Sequence, residues 1–182
     1  MSAKKSAHLI LGVTASVAAY KAADLIRELI DRGFKVSVVM TKEAGYFITP
    51  LTLASLSGQK VYDSMFENQD TSVMPHIKLA QEADIILIAP ATANIIAKIA
   101  TGLADDLLTC IVLATKAPIL IAPAMNTEMY HNKIVQENCA KLKRLGFTFV
   151  DPVEGKLACG TVGEGHIAEA QDIVKAVLKI VR

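Results

Sequence analysis

Residues 84–90 read Asp-Ile-Ile-Leu-Ile-Ala-Pro, a nearly continuous apolar run of strand length with no polar residue after Asp84. Successive side chains of a strand point to opposite faces, so a run without alternation has no face left for water. Such a strand must be covered on both sides, as in the interior of a parallel sheet. Residues 7–13 and 118–122 are further apolar runs of strand length, and residues 35–40 form a β-branched strand. Between the first two strands, Ala18, Ala22, Leu25, Ile26, Leu29 and Ile30 recur at helical spacing and Gly33 ends the helix.

The alternation continues along the chain. Pro50 opens a short helix that Gly58 closes, residues 60–75 read as irregular, and a short helix covers about 76–82. Helices are predicted over 94–101 and 104–115, then one helix from Thr127 to about Leu145, stopped by Gly146. A short strand at 148–150, a Gly-rich loop at 155–165 and a terminal helix at about 168–181 complete the chain. Strands alternating with helices predict an α/β fold with a doubly wound (Rossmann/flavodoxin-like) parallel sheet, helices on both faces, and one domain over 1–182.

The 182 residues suffice for one core, and the 52% hydrophobic content is that of a globular chain. A net charge of +1 without a basic stripe argues against nucleic acid as a partner. No apolar run reaches the roughly 18 residues of a membrane span, and residues 1–6 do not make a signal peptide. Cys110, Cys139 and Cys159 are odd in number and form no CxxC pair, which disfavours disulfides and a metal site. A reduced, cytoplasmic protein is expected.

Ligands of doubly wound sheets bind beyond the carboxyl ends of the strands. Those ends carry Gly12-Val13-Thr14-Ala15-Ser16, Met40-Thr41, Pro90-Ala91-Thr92-Ala93-Asn94 and Pro123-Ala124-Met125-Asn126. The first turn lacks both G-x-G-x-x-G and G-x-x-x-x-G-K-[ST], so a dinucleotide or P-loop site is weakly supported. A single phosphate fits better. Gly12 permits close approach of the backbone, Thr14 and Ser16 bring hydroxyls to a helix start, and Thr41 and Thr92 can converge on the same group. Each hydroxyl is also an ordinary cap or turn residue; their gathering at three strand ends favours a ligand.

His76 follows Pro75 at a helix start, and a lone histidine is more often structural than catalytic. Asn126 ends a buried strand, where capping the next helix is the bland alternative. Cys159 lies in a Gly-rich loop rather than at a packing period, unlike Cys110 and Cys139 in helical segments. Asp105 and Asp106 begin a helix and read as structural.

These motifs, in this order, resemble the homo-oligomeric flavin-containing cysteine decarboxylases over about residues 7–180. Residues 12–21 resemble the flavin-phosphate turn, Pro75-His76-Ile77 the segment of the active-site histidine, and Pro90 to Asn94 the second flavin motif. Pro123-Ala124-Met125-Asn126 is similar to the substrate-recognition motif, and Leu157-Ala158-Cys159-Gly160 to the loop of the catalytic cysteine. Tyr130 stands where the family often has Trp, and His166 where an Arg is common. These departures bear on loop contacts to phosphate or flavin.

The resemblance implies an FMN-dependent decarboxylation of 4′-phosphopantothenoylcysteine to 4′-phosphopantetheine in coenzyme A biosynthesis. The cofactor binds through Gly12, Thr14, Ser16, Thr41, Pro90, Thr92, Asn94 and Met125, and the substrate through Pro123, Ala124, Met125 and Asn126. An N-acylated cysteine has no electron sink for decarboxylation until its Cβ–S bond is oxidised; the flavin supplies that redox step. His76 then assists oxidation, Asn126 orients the carboxylate, and Cys159 is the acid in the final reduction of the enethiol. Peptidyl-cysteine decarboxylases stop at the enethiol and lack the loop cysteine, so Cys159 favours complete reduction. The flavin prenyltransferases are disfavoured by the Pro-Ala-Met-Asn and Cys159 segments, and a non-catalytic flavin-binding regulator by the intact His76, Asn126 and Cys159. A homotrimer is expected by resemblance, with dodecamers in some members. Many bacterial members are fused to a ligase; because this chain stops after its terminal helix, a stand-alone enzyme is expected.

Overall fold

The computed structural model describes residues 6–65, 74–156, 160 and 162–181. Six strands make one parallel sheet: β1 (His8–Val13), β2 (Lys35–Met40), β3 (Val61–Tyr62), β4 (Ile85–Ala91), β5 (Ile119–Pro123) and β6 (Thr148–Phe149). Their order is β3-β2-β1-β4-β5-β6. This is the Rossmann order of the doubly wound folds, and the switch point falls between β1 and β4.

The apolar runs do what their lack of alternation demands. Every residue of β1, β4 and β5 is buried. Leu9, Leu11, Val36, Val38, Leu87 and Leu120 face one core, shared with Leu25, Ile26 and Leu29 of α1 (Ala22–Asp31), Leu53 of α2 (Pro50–Ser57) and Ile173, Val174 and Val177 of α8 (Ala170–Ile180). Ile10, Val39, Ile86, Ile88 and Ile121 face the other. There they meet Leu79 of α3 (Pro75–Glu82), Ile95 and Ile99 of α4 (Ala93–Thr101), Ile111 of α5 (Leu107–Ala114) and Leu142 of α7 (Lys133–Arg144). Gly12 allows α5 to seat closely: a Cβ there would lie 2.8 Å from a Leu108 methyl. Lys98 Nζ joins α4 to α5 by reaching Asp105 Oδ1 at 2.8 Å and Asp106 Oδ2 at 3.0 Å, and Asp106 caps α5 through Thr109 N–H. Among the described residues no helix is long and apolar enough to cross a membrane.

Three elements depart from the sequence expectation. Residues 61–62 pair with β2 as the edge strand β3, inside a stretch read as irregular; two residues are too few to show a period. The helix expected from Thr127 to about Leu145 is two helices, α6 (Thr127–His131) and α7, because Asn132 leaves the helical path and its side chain accepts the Ile134 N–H at 3.0 Å. The Gly-rich loop contains an antiparallel hairpin, β7 (Val153–Lys156) and β8 (Val162–His166). Its glycines are required by contact: a side chain at Gly163 would collide with Thr127 Oγ1, and one at Gly165 with the Met125 carbonyl.

At the amino end of the central strand β1, His8 is buried with Nε2 2.8 Å from Ser37 Oγ, while Asp84 accepts its backbone N–H at 2.7 Å. Burial, and then the nearby Lys35 charge, lower its pKa from the ordinary 6.5. The neutral ring is therefore the folded form. Its stabilising contribution is complete above 6.5 and is lost as pH falls from there toward the depressed folded value, where the unfolded chain takes up a proton first. Unfolding midpoints measured between about pH 7.5 and pH 5.5 should fall more steeply for the native chain than for His8→Gln. Parallel slopes would place the acid sensitivity elsewhere.

Candidate functional site

A cavity of about 370 Å³ opens at the carboxyl edge of the sheet, lined by Thr14, Ala15, Ser16, Thr41, Glu43, Thr92, Ala93, Asn94, Ile95, Ala124, Met125 and Met129. It spans the switch point, with β1 and β2 on one side and β4 and β5 on the other. The Ala124 N–H donates to Ala91 O at 3.0 Å and the Thr41 N–H to Val13 O at 3.0 Å, so the four strand ends are tied in pairs.

The hydroxyls gathered here divide into two kinds. Thr14 is 1% exposed and its proton goes to Pro90 O at 2.7 Å, while its oxygen accepts the Thr92 N–H at 3.1 Å. It is a strut across the switch point, with its donor already used. Ser16 Oγ accepts the Ala18 N–H at 3.2 Å and Thr92 Oγ1 the Ile95 N–H at 3.3 Å, each as an N-cap. A hydroxyl that accepts in a cap keeps its own proton to donate, so Ser16 and Thr92 combine capping with a capacity to bind. Thr41 Oγ1 is buried without a hydrogen-bond partner. An unpaired buried hydroxyl is costly, and this one belongs to a residue of the cavity wall. That is the condition of a group whose partner is a ligand oxygen. The start of α4 at Ala93-Asn94 adds N–H groups suited to an anion, whereas the Ser16 N–H is already given to Thr14 O at 2.8 Å.

The remaining sequence candidates lie at or beyond this wall. Gly12, Pro90 and Pro123 are strand residues behind it; the missing side chain of Gly12 answers to Leu108 rather than to the cavity. Asn126 follows Met125 and is exposed. Its Oδ1 accepts the Glu128 and Met129 N–H groups at 2.9 and 3.4 Å, capping α6. His76 begins α3 at the same edge of the sheet but is not among the residues lining the cavity, and its Nδ1 is buried without a partner. Cys159 lies outside the described residues. Among those described, no hydrogen bond or ion pair joins His76 to Asn126 within one chain. Tyr130 is buried, which pushes its hydroxyl pKa up to about 12, and His166 Nε2 lies 2.9 Å from Lys21 Nζ.

Glu43 and Met129 line the cavity without having been singled out from sequence. Each had a signal: Glu43 stands two residues past Thr41, and Met129 is in the first turn after the strand-end motif. Among the described residues no group of three His, Cys, Asp or Glu side chains is placed to hold a metal.

The fold and cavity define a doubly wound protein with a mononucleotide-sized site. The Flavoprotein family model matches residues 1–182, and the chain belongs to that family. It is 50% identical over 166 residues to the coenzyme A biosynthesis bifunctional protein CoaBC of Vibrio vulnificus (strain YJ016), covering 91% of this chain and 41% of that protein. The chain thus spans about two fifths of the bifunctional relatives it matches. A probable phosphopantothenoylcysteine decarboxylase of Streptococcus mutans is 45% identical over 171 residues, covering 93% of this chain and 96% of that one. A mutant PPC decarboxylase complexed with pantothenoylaminoethenethiol superposes with a TM-score of 0.87 at 34% identity, covering 96% and 98% of the two chains.

The Thr41 hydroxyl yields a test. In flavin-free protein, Thr41→Val removes an unpaired polar group and should leave the melting temperature unchanged or raised. Flavin mononucleotide affinity, read by fluorescence quenching, should weaken about tenfold, the scale of one hydrogen bond to a charged group. Unchanged affinity would remove Thr41 from the binding set.

Proposed function

We propose that the chain is an FMN-dependent phosphopantothenoylcysteine decarboxylase that converts 4′-phosphopantothenoylcysteine to 4′-phosphopantetheine in coenzyme A biosynthesis. The observation that carries the reading is the cavity at the switch point, which runs from the hydroxyl-bearing strand ends to Met125, next to Asn126. The similarity to the Streptococcus mutans relative and to the mutant PPC decarboxylase complex supports the same substrate class.

The bound flavin supplies reversible oxidation of the cysteine Cβ–S bond, which makes the carboxylate labile. The chain's residues do the rest. Ser16, Thr41 and Thr92 donate to the cofactor's single phosphate through their hydroxyls, helped by the start of α4 at Ala93-Asn94. Thr14, Gly12 and Pro90 hold those donors in place, and Asn94 and Met125 complete the cofactor wall. Pro123, Ala124, Met125 and Asn126 receive the substrate, with Asn126 holding its carboxylate in the orientation for loss of CO2. A partnerless Nδ1 suits His76 to accept or deliver a proton during oxidation of the substrate. Cys159 protonates the enethiol-derived carbon as reduction finishes.

The chain works as a homotrimer. Exposed Met74 and Ile77 flank His76, and the absence of His76 from its own cavity wall supports the reading that it serves a neighbour's cavity. Burying such apolar groups between copies offsets the ordering cost of association.

Purified protein loaded with FMN should release CO2 from 4′-phosphopantothenoylcysteine and leave a C-terminal cysteine peptide largely unchanged, as read by mass spectrometry. Preference for the peptide would move the chain to the peptidyl-cysteine decarboxylases. His76→Asn should retain FMN and lose turnover. Cys159→Ser should accumulate a product lighter by CO2 and two hydrogens; an ordinary pantetheine product would remove Cys159 from the acid role.

A further inference from the structure

Strand β8 presses on the segment that carries Asn126. Gly165 O accepts the Met125 N–H at 3.0 Å, Gly163 packs on Thr127, and Glu164 reaches His131 Nε2 at 3.3 Å. The strand ends at His166, whose Nε2 lies 2.9 Å from Lys21 Nζ. An ammonium only donates, so Nε2 is the acceptor. The Lys21 side chain is 17% exposed, which shields the contact from water. Lys21 itself ends the 3-10 turn Val17–Lys21, whose N-cap is Ser16 of the cavity wall. One side of the cavity is therefore joined to the other by a chain of contacts: Ser16, the turn, Lys21, His166, β8, Met125 and Asn126.

We infer that Lys21 is a positioning residue for Asn126, acting through His166 and β8. The inference rests on the reading of Asn126 as the carboxylate-holding residue. Glu164 is engaged by His131, and Glu169 lies 3.7 Å from Lys21 Nζ. Without the Lys21 hydrogen bond, β8 keeps its contacts to Met125 and Thr127 and the buried Ile167 and Ala168 that follow it, but its last residue loses the tie to the turn that begins at Ser16.

The test reads the Met125 N–H directly by hydrogen exchange on the FMN-loaded protein. Lys21→Met should lower protection at Met125 about tenfold, the scale of one hydrogen bond. His166→Gln, whose amide oxygen can accept from Lys21, should keep native protection, and His166→Leu should match Lys21→Met. In turnover of 4′-phosphopantothenoylcysteine, Lys21→Met and His166→Leu should each raise KM about tenfold with little change in kcat, and His166→Gln should retain the native KM. Unchanged Met125 protection in Lys21→Met would overturn the inference, as would native protection in His166→Leu. Absence of turnover by the native chain would refute the functional reading instead, with the exchange measurements still deciding whether the tie exists.

Discussion

Coverage of the sheet on both faces is the constraint on which the rest depends. β1, β4 and β5 have no residue free to meet water, so the faces of the sheet can carry packing and little else. Polar function is confined to the edge where the strands stop. At that edge the chain must turn into helices, and each helix start brings unpaired N–H groups and capping hydroxyls. The cavity is thus a by-product of how a parallel sheet ends. Ser16 and Thr92 serve it while performing the capping that their helices need in any case.

The hairpin solves a different problem. The β5 end is followed by an exposed asparagine that the sheet alone cannot hold against anything. β8 lies against this segment, and its glycines let backbone meet backbone. Asn126 is consequently fixed from two directions: its Oδ1 is bound to the first turn of α6, and the peptide before it is bound to Gly165.

The parallel sheet, the two-faced core and the position of the cavity were legible in the sequence because each follows from hydrophobic period and from small polar residues at strand ends, whereas the strand order was not. Ser16, Thr41, Thr92, Asn94 and Met125 could be placed in this way. The role of Thr14 could not, since its acceptor, Pro90 O, is 76 residues away. Nor could the hairpin, because a strand rich in glycine has little intrinsic preference for extended structure and is held by what it packs against. The break at Asn132 carried an N-cap signal that the apolar spacing of the two flanking helices masked. His76 is legible as a candidate, but its absence from the cavity wall is not, since spacing along the chain does not say which side chains line a cavity.

The Thr14 strut also governs how quickly the site can fill. Its two hydrogen bonds cross from the turn after β1 to the turn after β4 while the protein folds, before any ligand arrives. The conformational entropy of holding these turns together is therefore charged to folding and not to loading. A site prepared in this way needs no rearrangement on encounter, so capture proceeds at the rate of orientation and diffusion, and differences in affinity appear as differences in residence time.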